Sequence, residues 1–112
     1  MMTAQAIEAY ESVRTWRRDL IDQWGGDPIT EDPDKLQALA RFCEFVGEDP
    51  DAIIARCFRV RKSDGEQVIS AKWRAHYAQK IREFRELNHR ESQRLAANVL
   101  SFLIHNGVLV QV

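Results

Sequence analysis

The chain contains no run of about 18 apolar residues, the least that crosses a bilayer as a helix. The segment Met1–Tyr10 lacks the basic start and apolar stretch of a secretory signal. A cytoplasmic protein without a membrane segment is therefore expected. Cysteine is scarce: Cys43 and Cys57 are the only two, both in apolar surroundings, as befits reduced core thiols rather than a disulfide framework. No glycine-rich phosphate loop or dinucleotide fingerprint occurs. The three histidines, His76, His89 and His105, are far apart, and none sits at zinc-ligand spacing from another or from a cysteine. These absences leave no metal, no cofactor and no catalytic residue to nominate, and a chain of 112 residues holds one core with little room for a substrate cleft. The expectation is a non-enzyme that works by binding.

What is present is helical punctuation. Apolar residues at Tyr10, Val13, Leu20, Ile21 and Trp24 share an arc of a 3.6-residue wheel, which predicts a helix over Thr3–Trp24, ended by Gly25-Gly26. Arg17 falls inside that arc, its stem suited to packing and its head to water. The tetrapeptide Glu-Asp-Pro-Asp occurs twice, at 31–34 and 48–51. In each, the first Asp suits an N-cap, Pro the first helical position and the acidic cluster the positive end of the helix dipole. Capping accounts for all these carboxylates, so they are not read as a metal site. A helix from Pro33 carries Leu36, Leu39, Ala40, Cys43 and Val46 on one face and stops at Gly47. A short one from Pro50 carries Ile53, Ile54, Cys57 and Phe58.

Residues Arg59–Glu66 read as a basic loop turning at Asp64-Gly65. A helix over Glu66–Leu87 follows, with Trp73, Tyr77, Ile81 and Phe84 as its stripe. Asn88 and Glu91 have the spacing of a capping box. The last helix, with Leu95, Ala96, Val99, Leu100, Phe102, Leu103 and Ile104, is apolar on most sides and is predicted to be central. Its polar stripe is Arg94, Asn98, Ser101 and His105. Asn106-Gly107 ends it, and Val108–Val112 is expected to be extended. The fold class is all-α: four to five helices in one orthogonal bundle spanning 1–112.

The formal net charge of −1 conceals a strong asymmetry. Residues 1–55 hold 5 Lys/Arg and 12 Asp/Glu, whereas residues 56–112 hold 11 and 5. Such a split points either to an anionic partner or to mutual attraction of the two halves. The basic half offers Arg61 and Lys62 in the loop, beside Arg59. Lys72 and Lys80 lie with His76 on one flank of the long helix, Arg74 with Arg82 and Arg85 on the other. Arg90, Gln93 and Arg94 stand at the start of the last helix. Phosphates are held by converging long cationic side chains, and base edges are read by Arg or Gln at a helix N-terminus. The candidate DNA-binding residues are therefore Arg61, Lys62, Lys72, Arg74, Lys80, Arg90, Gln93 and Arg94. A protein-interaction or dimerisation module is the alternative, with Trp16, Trp24 and Phe45 as its exposed aromatics.

The stretches Tyr77–Phe84 (YAQKIREF), Arg94–Val108 (RLAANVLSFLIHNGV) and Leu39–Ile53 (LARFCEFVGEDPDAI) resemble the N-terminal core-binding domain of tyrosine recombinases, the phage-type integrases. The likeness spans about residues 33–110, leaving 1–30 as an N-terminal helix and loop. It implies a SAM-like helical bundle that clamps double-stranded recombination-site DNA. Catalysis in that family resides in a separate C-terminal domain absent from this chain, so the implied partners are double-stranded DNA and either a recombinase catalytic domain or sister protomers. Neither Tyr10 nor Tyr77 is expected to be a nucleophile.

Overall fold

A computed structural model describes residues 3–87, 90 and 92–112. The expected helix over Thr3–Trp24 is divided. Thr3 caps a single turn, α1 (Ala4–Ile7), by accepting from Ala6 N at 3.1 Å. The chain then passes through an extended Tyr10 into α2 (Glu11–Trp24). The break has a distant cause. The Asp51 carboxylate accepts from Glu11 N at 3.3 Å, Ser12 N at 2.8 Å and Ser12 Oγ at 2.6 Å, so an acid placed 40 residues away supplies the anion that the start of α2 needs. The buried face of α2 is Ser12, Val13, Trp16 and Leu20. Trp24, assigned to the inner arc by the wheel, is 68 % exposed and Trp16 takes its place inside.

Gly25, at φ 76°, closes α2 in the left-handed conformation that favours glycine. Asp27 then caps α3 (Pro28–Glu31), a turn not anticipated from the sequence, and its Oδ2 is held by Arg17 at 2.6 Å. That guanidinium keeps the Asp27 carboxyl below the usual carboxylate range despite the opposing effect of desolvation. The two acidic tetrapeptides behave differently. Asp49 caps α5 (Pro50–Arg56) through Ala52 N at 2.8 Å, with Pro50 in the first turn. Pro33, rather than Asp32, occupies the cap position of α4 (Asp34–Val46), and Asp32 accepts instead from Asp34 N at 3.2 Å. Gly47, at φ 74°, ends α4.

The predicted basic loop is a β-hairpin. β1 (Phe58–Val60) pairs antiparallel with β2 (Gln67–Ile69), with Phe58 opposite Ile69 and Val60 opposite Gln67. Its turn is closed by Arg61 N to Glu66 O and Gly65 N to Arg61 O, both 2.8 Å. The hairpin claims residues assigned to the long helix, so α6 (Ala71–Leu87) starts five residues later than expected, behind Ser70, whose Oγ accepts from Trp73 N at 3.3 Å.

α7 (Ser92–His105) is the central helix. Leu95, Ala96, Val99, Phe102 and Leu103 are buried against α2, α4 and α6. Edge-to-face ring pairs, Trp16 on Phe102 and Phe42 on Phe84, lock the neighbours to it and to each other. The polar stripe of α7 is a seam rather than a solvent face. Arg94 pairs with Asp34 of α4, Asn98 Oδ1 accepts from Lys35 Nζ at 3.1 Å, Ser101 Oγ accepts from Trp16 Nε1 at 3.0 Å, and His105 Nδ1 lies 2.6 Å from Asp19 Oδ2. The fold is thus mostly helical, with seven helical segments and one two-stranded sheet among the described residues. Two segments are single turns, which is how a four-to-five-helix expectation undercounts them. The capping box assigned to Asn88 and Glu91, and His89, lie outside the described residues. Among the described residues no helix is long and apolar enough to cross a membrane.

Candidate nucleic-acid interface

The positive charge is concentrated more tightly than in the whole second half. Residues 56–82 contain eight Lys/Arg and two Asp/Glu. They form the end of α5, the hairpin and most of α6. The carboxylates of the first half are largely engaged in the scaffold: Asp27, Asp49 and Asp51 cap helices, Asp34 holds Arg94, and Glu48 holds Arg56. Mutual attraction of the halves is therefore real at Arg94 and Arg56. It does not extend to Arg59, Lys62, Lys72 or Arg74, which make no ion pair with a described carboxylate.

The eight candidate residues fall into separate groups. Lys62 is exposed in the hairpin turn, next to Arg61, whose guanidinium is clamped by Asp64 within that turn. Lys72, in the first turn of α6, reaches over the Trp73 ring at 5.4 Å, and Arg56 reaches over the same ring at 4.8 Å. A half-buried indole between two cations orients both heads at modest gain. Arg74 is two residues from Lys72, about 200° around a helix of 3.6 residues per turn, and faces the C-terminal segment instead. Lys80 sits 3.8 Å from Glu83. Arg90, Gln93 and Arg94 are all exposed, and Arg94 is tied to Asp34, with Asp32 3.7 Å away. The start of α7 is also separated from the hairpin by the length of α6, about 22 Å between positions 72 and 87. The structure brings Arg56 and Lys72 together over the Trp73 ring, and places Arg59, Arg61 and Lys62 along the hairpin that lies between them in the chain. It does not bring them to Arg90, Gln93 and Arg94.

Sequence reasoning missed Arg56 as a member of the group. Its signal was present: an Arg in the last turn of a short helix directly before the basic hairpin. Of the three aromatics offered as a protein-contact surface, Trp16 is fully buried, Phe45 packs on Phe84 and only Trp24 is exposed.

The two cysteines and Tyr77 have the opposite of an activating environment. Burial pushes the Cys43 thiol up to about 12, helped by Asp49 and Glu48, and the Cys57 thiol up to about 11. Burial and its hydrogen bond to Glu48 hold the Tyr77 hydroxyl protonated far above the ordinary tyrosine range. Thiolates are the reactive species. Both cysteines are therefore expected to stay unlabelled by a thiol-disulfide reagent in the native protein at neutral pH and to react stoichiometrically in denaturant. Rapid native labelling of either would contradict the burial described.

No protein-family model, no curated protein and no solved structure matches this chain.

Proposed function

We propose that this chain is a cytoplasmic helical domain that binds duplex DNA through its phosphates and has no catalytic residues of its own. The contact surface is the hairpin and the first turn of α6. The observation that carries this reading is the set Arg59, Lys62 and Lys72, cations with no ion pair among the described residues, within a segment of eight Lys/Arg against two Asp/Glu. The hairpin supports it by its form: Phe58 and Ile69 anchor its base on the core, and at its outer end Val60 is 65 % exposed. The role is the one that the recombinase resemblance implies, a clamp working beside a catalytic domain or sister protomers. Its geometry differs from the expected one: phosphate contact comes from Arg59, Lys62 and Lys72, while Arg61 is engaged by Asp64 and Arg94 by Asp34 at the seam between α4 and α7.

Fluorescence anisotropy of a labelled duplex tests this reading. Three phosphate contacts give a log–log salt slope near −2.7, so affinity falls roughly fortyfold between about 50 and 200 mM salt. The double variant Lys62→Ala/Lys72→Ala lowers that slope by about two, and Arg94→Ala leaves it unchanged. Absence of binding at low salt, or a slope indifferent to the double variant, refutes the assignment.

A further inference from the structure

We infer that the groove between α6 and the C-terminal segment binds an extended peptide of a partner protein, one that alternates apolar and acidic residues. The groove encloses about 490 Å³ and is open along one side. One wall is α6, where Ala71, Ala75 and Ala78 leave space and Arg74 and Arg82 stand over it. The other is Leu109, Val110 and Gln111. Burial along this segment alternates, Val108 and Val110 inward, Leu109 and Gln111 outward, which is the period of an extended chain. Val108 N donates to Leu103 O at 2.9 Å. Beyond it, residues 109–112 make no hydrogen bond among the described residues, so a strand-like backbone lies along a groove with its donors and acceptors free.

Three features select the occupant. Free main-chain groups beside side-chain space are matched by another extended peptide, as in strand addition. The alanine floor and the Leu109–Val110 wall call for apolar side chains. The two arginines call for carboxylates: among the described residues Arg82 is held by the neutral Gln79, at 3.0 Å, with no acidic partner, and Arg74 has none either. Their spacing fits. Eight residues of helix advance about 12 Å, and residues i and i+4 of an extended peptide are about 13 Å apart on one face. A nucleic-acid strand would satisfy the arginines but not the apolar wall or the free backbone. This groove lies on the flank of α6 opposite Lys72, so it is independent of the DNA reading.

The test uses the whole chain and a fluorescein-labelled decapeptide alternating valine and glutamate, with a valine–lysine decapeptide as control. The glutamate peptide is expected to bind saturably, to shift the Leu109–Gln111 amide resonances and to leave the hairpin amides unmoved. Arg74→Glu/Arg82→Glu lowers its affinity at least about tenfold and transfers preference to the lysine peptide. Ala75→Trp, at an exposed position that folding tolerates, fills the groove and blocks both. No saturable binding, equal affinity for the two peptides, or a preference that survives charge reversal overturns the inference. So does a DNA duplex that shifts the 109–111 amides and displaces the peptide, since that gives the groove to nucleic acid.

Discussion

Trp16→Ala is expected to lower the unfolding free energy by about 3–5 kcal/mol. The side chain is fully buried between α2 and α7, edge-on to Phe102 at 5.7 Å, with Nε1–H donating to Ser101 Oγ at 3.0 Å. Truncation removes the largest fully buried side chain, opens a cavity at a helix–helix contact and leaves Ser101 without its donor. Small domains have about 5–15 kcal/mol in total, so much of the stability is at stake. Trp16→Phe separates the contributions: it keeps most of the ring packing and loses the hydrogen bond, at about 1 kcal/mol. Trp24→Ala, at the exposed end of the same helix, is expected to change stability by no more than about 0.5 kcal/mol. Urea unfolding followed by far-UV circular dichroism measures all three. Equal effects at positions 16 and 24 would mean that the assigned inner face of α2 is wrong.

Glu48→Ala is expected to cost about 2–3 kcal/mol, the range for hydrogen bonds to charged groups with a partner left buried. Glu48 Oε1 accepts from the fully buried Tyr77 hydroxyl at 2.7 Å. Oε2 is buried and has no hydrogen bond of normal geometry among the described residues. Its neighbour is Arg56 Nε at 2.5 Å, an ion contact. Removing the carboxylate orphans the tyrosine hydroxyl, whereas the half-exposed Arg56 regains water and adds little. The asymmetry makes a cycle diagnostic. Tyr77→Phe in the Glu48→Ala background removes the orphan, so the double variant is more stable than the sum of the single losses predicts. Strict additivity would show that the two side chains do not interact.

Helix identity was legible where the signals are local. Gly25, Gly47 and Gly107 adopt positive φ at or just past the ends of α2, α4 and α7, and Tyr77, Ile81 and Phe84 form the buried stripe that their spacing announces. The hairpin was not legible. Strands of three residues are too short for alternation to register, and of the flanking signals only Asp64-Gly65 stood out. The inner face of α2 was misread because a wheel ignores where packing stops: Trp24 is the last residue of α2, past its last buried residue, Leu20, whereas Trp16 meets Phe102 and Ser101. Cations were countable in the sequence, but which of them keep an uncompensated charge was not. Arg94 and Asp34 are 60 positions apart, and nothing local announces that they meet. The candidate interface was therefore located only to within one half of the chain.

Asp51 belongs to the first turn of α5 by its backbone and to the start of α2 by its carboxylate. The N-terminal segment consequently does not encode its own boundary: a peptide comprising only 1–24 lacks the acceptor that defines where α2 begins, and its ends fray. Within the intact chain the start of α2 is thus coupled to the placement of α5, although the two are far apart in sequence. Dissection of this protein into fragments would separate that pair, and binding measured on such fragments would report on a different molecule.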